Sequence, residues 1–209
     1  MLHLRFLLVP LLLIASACDG GDTDTDTDTT DTTDTTDTTD TTDTTEPIAG
    51  TCQAWCAEFS SSCSASPAYG FPDEATCNTW CAAAGIPAGT GDDTSGNTLG
   101  CRTYHAGAAA GDPDTHCAHA SGFGGGVCGT PVETYCQILS SACTGDNAQT
   151  FSTDCATVAA AYPMAETAPP VTSGNSMECR MYHLGVAVLT PADHCDHAGE
   201  SGGGVCSDI

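Results

Sequence analysis

Residues 52–81 read CQAWCAEFSSSCSASPAYGFPDEATCNTWC, and the spacing of their cysteines decides the fold. Cys52 and Cys56 are four apart, as are Cys77 and Cys81, so each pair lies on one face of a helix. In an antiparallel hairpin the pairs Cys52–Cys81 and Cys56–Cys77 share one midpoint and sit level. A bridge closing such a loop contributes about 3–4 kcal/mol in the chain-entropy model. Pro72-Asp73-Glu74 opens the second helix with favourable acidic charge, and Gly85 closes it.

Downstream, the chain repeats itself. Residues 101–128 and 179–206 align without gaps, with 16 of 28 positions identical. Both read Cys-Arg-x-Tyr-His-x-Gly-x-Ala, then Pro-x-x-His-Cys-x-His-Ala, then Gly-Gly-Gly-Val-Cys. Upstream, Cys56, Cys63 and Cys77 match Cys136, Cys143 and Cys155, whereas Cys52 and Cys81 are replaced by Val132 and Ala159. Two cysteines lost together are most simply partners. The favoured bridges are therefore Cys52–Cys81, Cys56–Cys77 and Cys136–Cys155.

For the remaining four cysteines of each copy three connectivities stay open. Cys63–Cys101 with Cys117–Cys128 is preferred, because the second closes a short Gly-rich loop, and Cys143–Cys179 with Cys195–Cys206 follows by repetition. The CxxxC…CxxxC pattern resembles that of α-hairpinin peptides over about thirty residues, with a longer intervening stretch here.

The expected fold is all-α and disulfide-rich, in two tandem small helical domains, 51–128 and 130–206, of four short helices each. Thr130-Pro131-Val132-Glu133 is a capping box with Pro at the first helical position. Asn97 and Asn175 are the expected caps of the third helices, and Asp112-Pro113 and Thr190-Pro191 start the fourth. Trp55, Phe59 and Trp80 would fill a core too small to stand without staples.

The first fifty residues belong to no such core. A single arginine, Arg5, precedes an apolar run from Phe6 to Ile14 that is too short to span a membrane, and small residues follow. This is a secretory signal, residues 1–17. Its end, Ala15-Ser16-Ala17-Cys18, resembles a bacterial lipoprotein lipobox, which implies acylation of Cys18 after cleavage before it. The family usually has Leu where Ala15 stands. Cysteine parity agrees: of 15 cysteines, Cys18 is alone and the other fourteen lie between Cys52 and Cys206. Residues 18–50 then form the lipidated Cys and a disordered tether. From Asp22 to Thr45 only Asp and Thr occur, a composition with nothing to bury. Fully extended, the residues from Asp19 to Gly50 reach about 100 Å.

The implied location is the cell envelope, lipid-anchored and exported, with the membrane as one partner. An extracellular protein, a glycan or a metal ion is the other. A net charge of −24, no lysine and three arginines exclude nucleic acid, whose phosphates require basic neutralisation.

Two chemistries compete for the six histidines that follow the signal, His105, His116, His119, His183, His194 and His197. His116 and His119 share a helix face, and a turn near Gly111 would bring His105 level with them. Three converging imidazoles suit Zn²⁺ or Cu²⁺. The preferred alternative makes them structural braces, since no fourth ligand is evident. Arg102 and Arg180 are expected to pair with a carboxylate or a helix C-terminus. The two Gly-Gly-Gly runs lack the Lys-Ser/Thr of a phosphate loop, so they permit close backbone approach beside a disulfide.

No catalytic motif stands in a defined context, so no enzyme is expected. A binding, adhesion or structural module is the first reading, a metal-binding module the second, and a secreted hydrolase a distant third.

Overall fold

The computed structural model describes residues 50–68, 70–165 and 170–208. The signal, Cys18 and nearly all of the tether lie outside them. The described residues fall within one compact unit, Thr44–Ile209, and among them every regular element is helical. The first copy contains α1 (Cys52–Cys63), α2 (Glu74–Ala84), α3 (Leu99–Ala108) and α4 (Pro113–Ala120). The second contains α5 (Pro131–Ala142), α6 (Cys155–Ala159), α7 (Met177–Ala187) and α8 (Pro191–Ala198). Each ends in a short 3-10 turn of glycines, Gly124–Gly126 and Gly202–Gly204.

The helix ends follow the residues that cap them. Asp73 accepts from the Thr76 N–H at 2.7 Å and starts α2, and Gly85 ends it at φ 67°. Thr130 and Glu133 exchange both bonds of a capping box at α5. At α3 and α7 the caps are Thr98 and Ser176, not the expected Asn97 and Asn175. The asparagines are used elsewhere, as acceptors for buried arginines.

Seven disulfides staple the unit, and none crosses between copies. Cys52–Cys81 and Cys56–Cys77 lie side by side across the α1–α2 hairpin, with Cα–Cα distances of 5.7 and 5.8 Å. Cys136–Cys155 is the corresponding bridge of the second copy. The other four pairs differ from the expected Cys63–Cys101, Cys117–Cys128, Cys143–Cys179 and Cys195–Cys206. Instead Cys63 bonds Cys117 and Cys101 bonds Cys128, repeated as Cys143–Cys195 and Cys179–Cys206. The physical reason is that loop-closure entropy grows slowly, about 0.6 kcal/mol per doubling of length. A preference for the short loop is therefore easily overruled by packing. Cys117 lies buried on α4, against the last turn of α1.

The core runs through both copies. Trp55 is fully buried, stacks on Phe59 at 5.7 Å and donates its indole N–H to the Ala120 carbonyl at 2.8 Å. Trp80 packs against Trp55 and Phe123, and its indole N–H reaches the Gly185 carbonyl on α7 at 2.9 Å. Gln137 on α5 donates to the Gly85 carbonyl at 2.8 Å. The tandem copies thus share one continuous hydrophobic interior rather than two insulated cores.

Candidate metal centre

His105 lies in the last turns of α3, and His116 and His119 lie on α4. The two helices are joined by a turn at residues 109–112 that ends with Asp112 capping α4 through the Thr115 N–H. The hairpin is held in register by Arg102, one turn before His105. Its guanidinium is completely buried and donates to four neutral oxygens: Thr98 O, Asn97 Oδ1, Ser121 O and Gly122 O, at 2.9–3.1 Å. The start of α3 is thereby tied to the chain leaving α4. Burial lowers the guanidinium pKa to about 10, so it stays charged at neutral pH. Of the two expected partners, a carboxylate or a helix C-terminus, Arg102 takes the second through the Ser121 and Gly122 carbonyls after α4, and adds the Thr98 carbonyl and the Asn97 amide oxygen at the start of α3. Arg180 repeats the clamp with Asn175, Ser176, Gly199 and Glu200 carbonyl or amide oxygens, and also stacks over the Tyr162 ring at 3.9 Å.

The glycine runs close the other side. Gly125 has φ 53°, and a Cβ there would lie 2.6 Å from the Ala118 carbonyl oxygen and 3.0 Å from the His119 nitrogen. Only glycine allows the turn to press against the backbone that carries His119. Gly203, at φ 52°, presses on Asp196 and the His197 ring in the same way.

Within this frame the three imidazoles converge in both copies. His105 Nδ1 lies 2.9 Å from His116 Nδ1, and His183 Nδ1 lies 3.0 Å from His194 Nδ1. His197 Nδ1 is 3.4 Å from His183 Nδ1. In each copy one nitrogen from every ring lies within 4.8 Å of the others. Three nitrogens bound tetrahedrally to one ion at 2.0–2.1 Å would stand about 3.3 Å apart. The spacing suits an ion between them.

The outer nitrogens supply the matching second layer. His105 Nε2 meets the Thr94 carbonyl at 3.1 Å, and His183 Nε2 meets the Thr172 carbonyl at 3.1 Å. A carbonyl only accepts, so each Nε2 carries hydrogen, and in a ring with one hydrogen this leaves a bare Nδ1 facing inward. His119 Nδ1 is buried and has no hydrogen-bond partner, a condition that costs about 1–3 kcal/mol unless something fills it. Desolvation, and then the neighbouring imidazoles, hold the His119 pKa below its ordinary value. Desolvation does the same for His183, opposed by the Thr172 carbonyl and aided by His197 and His194. Rings kept neutral are the form that ligates metal.

The carbonyls of Thr94 and Thr172 were not among the expected site residues. Thr94-Ser95-Gly96-Asn97 and Thr172-Ser173-Gly174-Asn175 are identical, just upstream of the repeated 28 residues. Each loop is pinned to the glycine turn by one N–H, Gly96 to Val127 O and Gly174 to Val205 O. Their asparagines serve the arginines. Cys101, Cys128, Cys179 and Cys206 also come close to His105 and His183. All four are in disulfides, so none offers a thiolate.

Two stretches of the chain, 23–133 and 130–209, match the family model described as the BfoA family C-terminal domain. No curated protein and no solved structure matches the chain.

Proposed function

The chain belongs to the BfoA family and carries that family's C-terminal domain twice, and we propose that it is an exported, lipid-anchored module whose two copies each hold one divalent transition-metal ion, Zn²⁺ or Cu²⁺. The observation that carries this reading is the convergence of three histidine nitrogens in both copies, with a carbonyl behind the central ring each time. His105, His116 and His119 are the ligands of the first ion, and His183, His194 and His197 those of the second. Three imidazoles without sulfur or carboxylate favour Zn²⁺ and Cu²⁺ over Mg²⁺ or Ca²⁺.

The anchor rests on sequence. The apolar run before Ala15-Ser16-Ala17-Cys18 and the unpaired parity of Cys18 support acylation there, and the Asp/Thr stretch then serves as spacer. Several acyl chains on one residue give stable attachment where a single chain does not. Mass spectrometry of the mature N-terminus is expected to find acylated Cys18. An unmodified N-terminus elsewhere removes the anchor.

A second reading, a structural or adhesion module without metal, is favoured by one specific feature. A hydrogen on His116 Nδ1 or His194 Nδ1 would make each 2.9–3.0 Å contact an ordinary N–H···N bond. Titration of the metal-free protein separates the two. Two Zn²⁺ or Cu²⁺ ions per chain are expected, falling to one in His116→Ala or His194→Ala and to none in the double variant. Absence of binding, or two ions retained by the double variant, would establish the histidines as braces.

A further inference from the structure

The donor sets are one ligand short. Each contains three imidazole nitrogens, and among the described residues no carboxylate belongs to either group. The sulfurs next to His105 and His183 are tied up as Cys101–Cys128 and Cys179–Cys206 and carry no negative charge. Closed structural zinc sites take four protein ligands, whereas sites with three keep an exchangeable position.

The charge balance points the same way. Within the donor set three neutral imidazoles leave a divalent ion's charge of +2 uncompensated. Arg102 or Arg180, one turn earlier on the same helix, is itself cationic, and Asp112 at the α4 cap acts on His116 from outside the set. Burial is uneven as well: His105 and His183 are buried, but His116, His119, His194 and His197 are only half-buried. The set therefore meets solvent along α4 or α8.

Resting on the metal reading above, we infer that each loaded centre binds a small monodentate anion in an exchangeable fourth position. Hydroxide, azide, thiocyanate and a simple carboxylate belong to this class. The anion supplies both the missing donor and the missing negative charge, and its exchange requires no opening of the fold. Each mature chain thus presents two independent anion-accepting metal centres, one per copy. No repeated carboxylate stands in the donor groups to act as a base, so the inference concerns binding and not turnover.

The test uses the full mature chain loaded with Co²⁺, whose visible absorption reports coordination. Thiocyanate is added and the spectrum followed to saturation. The expected result is a tetrahedral cobalt spectrum whose bands shift with one anion bound per ion, two per chain. His116→Gln and His194→Gln should each halve the anion-sensitive absorbance, with the seven disulfides verified by mass so that misfolding is not mistaken for ligand loss. Cobalt retained with a spectrum indifferent to thiocyanate and azide overturns the exchangeable position while leaving the metal reading intact. An anion response undiminished in both variants overturns it too, because the anion then binds elsewhere. Failure to take up cobalt overturns the metal reading and this inference together.

Discussion

The two copies place different side chains in equivalent core positions but keep the same histidines, arginines and glycines at the candidate site. Trp55 of the first copy corresponds to Tyr135 of the second. One donates from an indole to the Ala120 carbonyl and the other from a phenol to the Ala198 carbonyl, so the bond persists while the ring changes. Phe59 corresponds to Leu139, Trp80 to Val158, Phe123 to Ser201, and the Cys52–Cys81 bridge to Val132 and Ala159. At the candidate metal centre the change is confined to the third ring: His197 Nδ1 lies 3.4 Å from His183 Nδ1, whereas His119 Nδ1 has no hydrogen-bond partner. The histidine contacts are 2.9 and 3.0 Å, the carbonyl contacts 3.1 and 3.1 Å, and the arginine clamps and glycine turns recur. A core needs volume and polar satisfaction, which many residues supply. Three nitrogens aimed at one point leave less freedom.

The sharpest break in that comparison is Trp80. It fills the space between the copies, whereas Val158 lines an open groove of about 460 Å³ together with Tyr162, Asn175 and Glu200. Trp80→Ala removes a ring only 4 % exposed and is expected to cost about 3–5 kcal/mol. Val158→Ala, at the matching but half-buried position, is expected to cost about 1 kcal/mol. Denaturant unfolding of the intact chain measures both. Equal effects would mean that the copies do not depend on their shared interior.

Next in size is the extra bridge. Replacing Cys52 and Cys81 with Val and Ala, the residues that stand in the second copy, opens a loop of 29 residues' separation. The chain-entropy model gives a loss of about 3–4 kcal/mol. Because Cys56–Cys77 still holds the hairpin, helicity and metal stoichiometry should be unchanged. A stability change below about 1 kcal/mol in thermal unfolding would show that Cys56–Cys77 already supplies the constraint.

Much of this architecture is legible in the sequence, for identifiable reasons. Paired cysteines at i,i+4 in both arms define a hairpin, because helical periodicity leaves few other ways to align them. Thr130 to Glu133 and Asp73 mark helix starts through local chemistry alone. The histidine convergence is legible as a possibility, since the i,i+3 spacing and the turn before Pro113 bring the rings to one end. The bridges of Cys63 and Cys117 are not, because they depend on how α4 lies against α1, a tertiary fact that loop length does not encode. Asn97 illustrates the same limit. It is a good cap by type, but Thr98 takes that role while a buried arginine recruits the asparagine. The Thr94 carbonyl is a backbone group whose residue type carries no signal, although the repeated Thr-Ser-Gly-Asn does.

The smallest expected effect concerns protons at the histidine set that each copy carries. His119 and His183 have pKa values lowered by folding from an ordinary 6.5, with desolvation the leading cause. The unfolded chain therefore binds protons more readily than the folded one between the depressed value and 6.5. Stability rises with pH wherever the unfolded state holds more protons, so this contribution is complete above about pH 6.5 and lost as the pH falls through that window. The metal-free protein should melt at a lower temperature at pH 5.5 than at pH 7.5. His119→Gln and His183→Gln should each flatten part of that slope, the first by acting in one copy and the second in the other. Bound Zn²⁺ must make the dependence steeper, because protons then compete with the ion for the same nitrogens. Differential scanning calorimetry across this range, with and without Zn²⁺, reads each contribution. A metal-free profile flat from pH 7.5 to 5.5 would mean that the rings accept protons as easily folded as unfolded. The inward nitrogens would then not be the desolvated set described above. If only one variant flattens the slope, the two centres differ in solvation despite their matching distances.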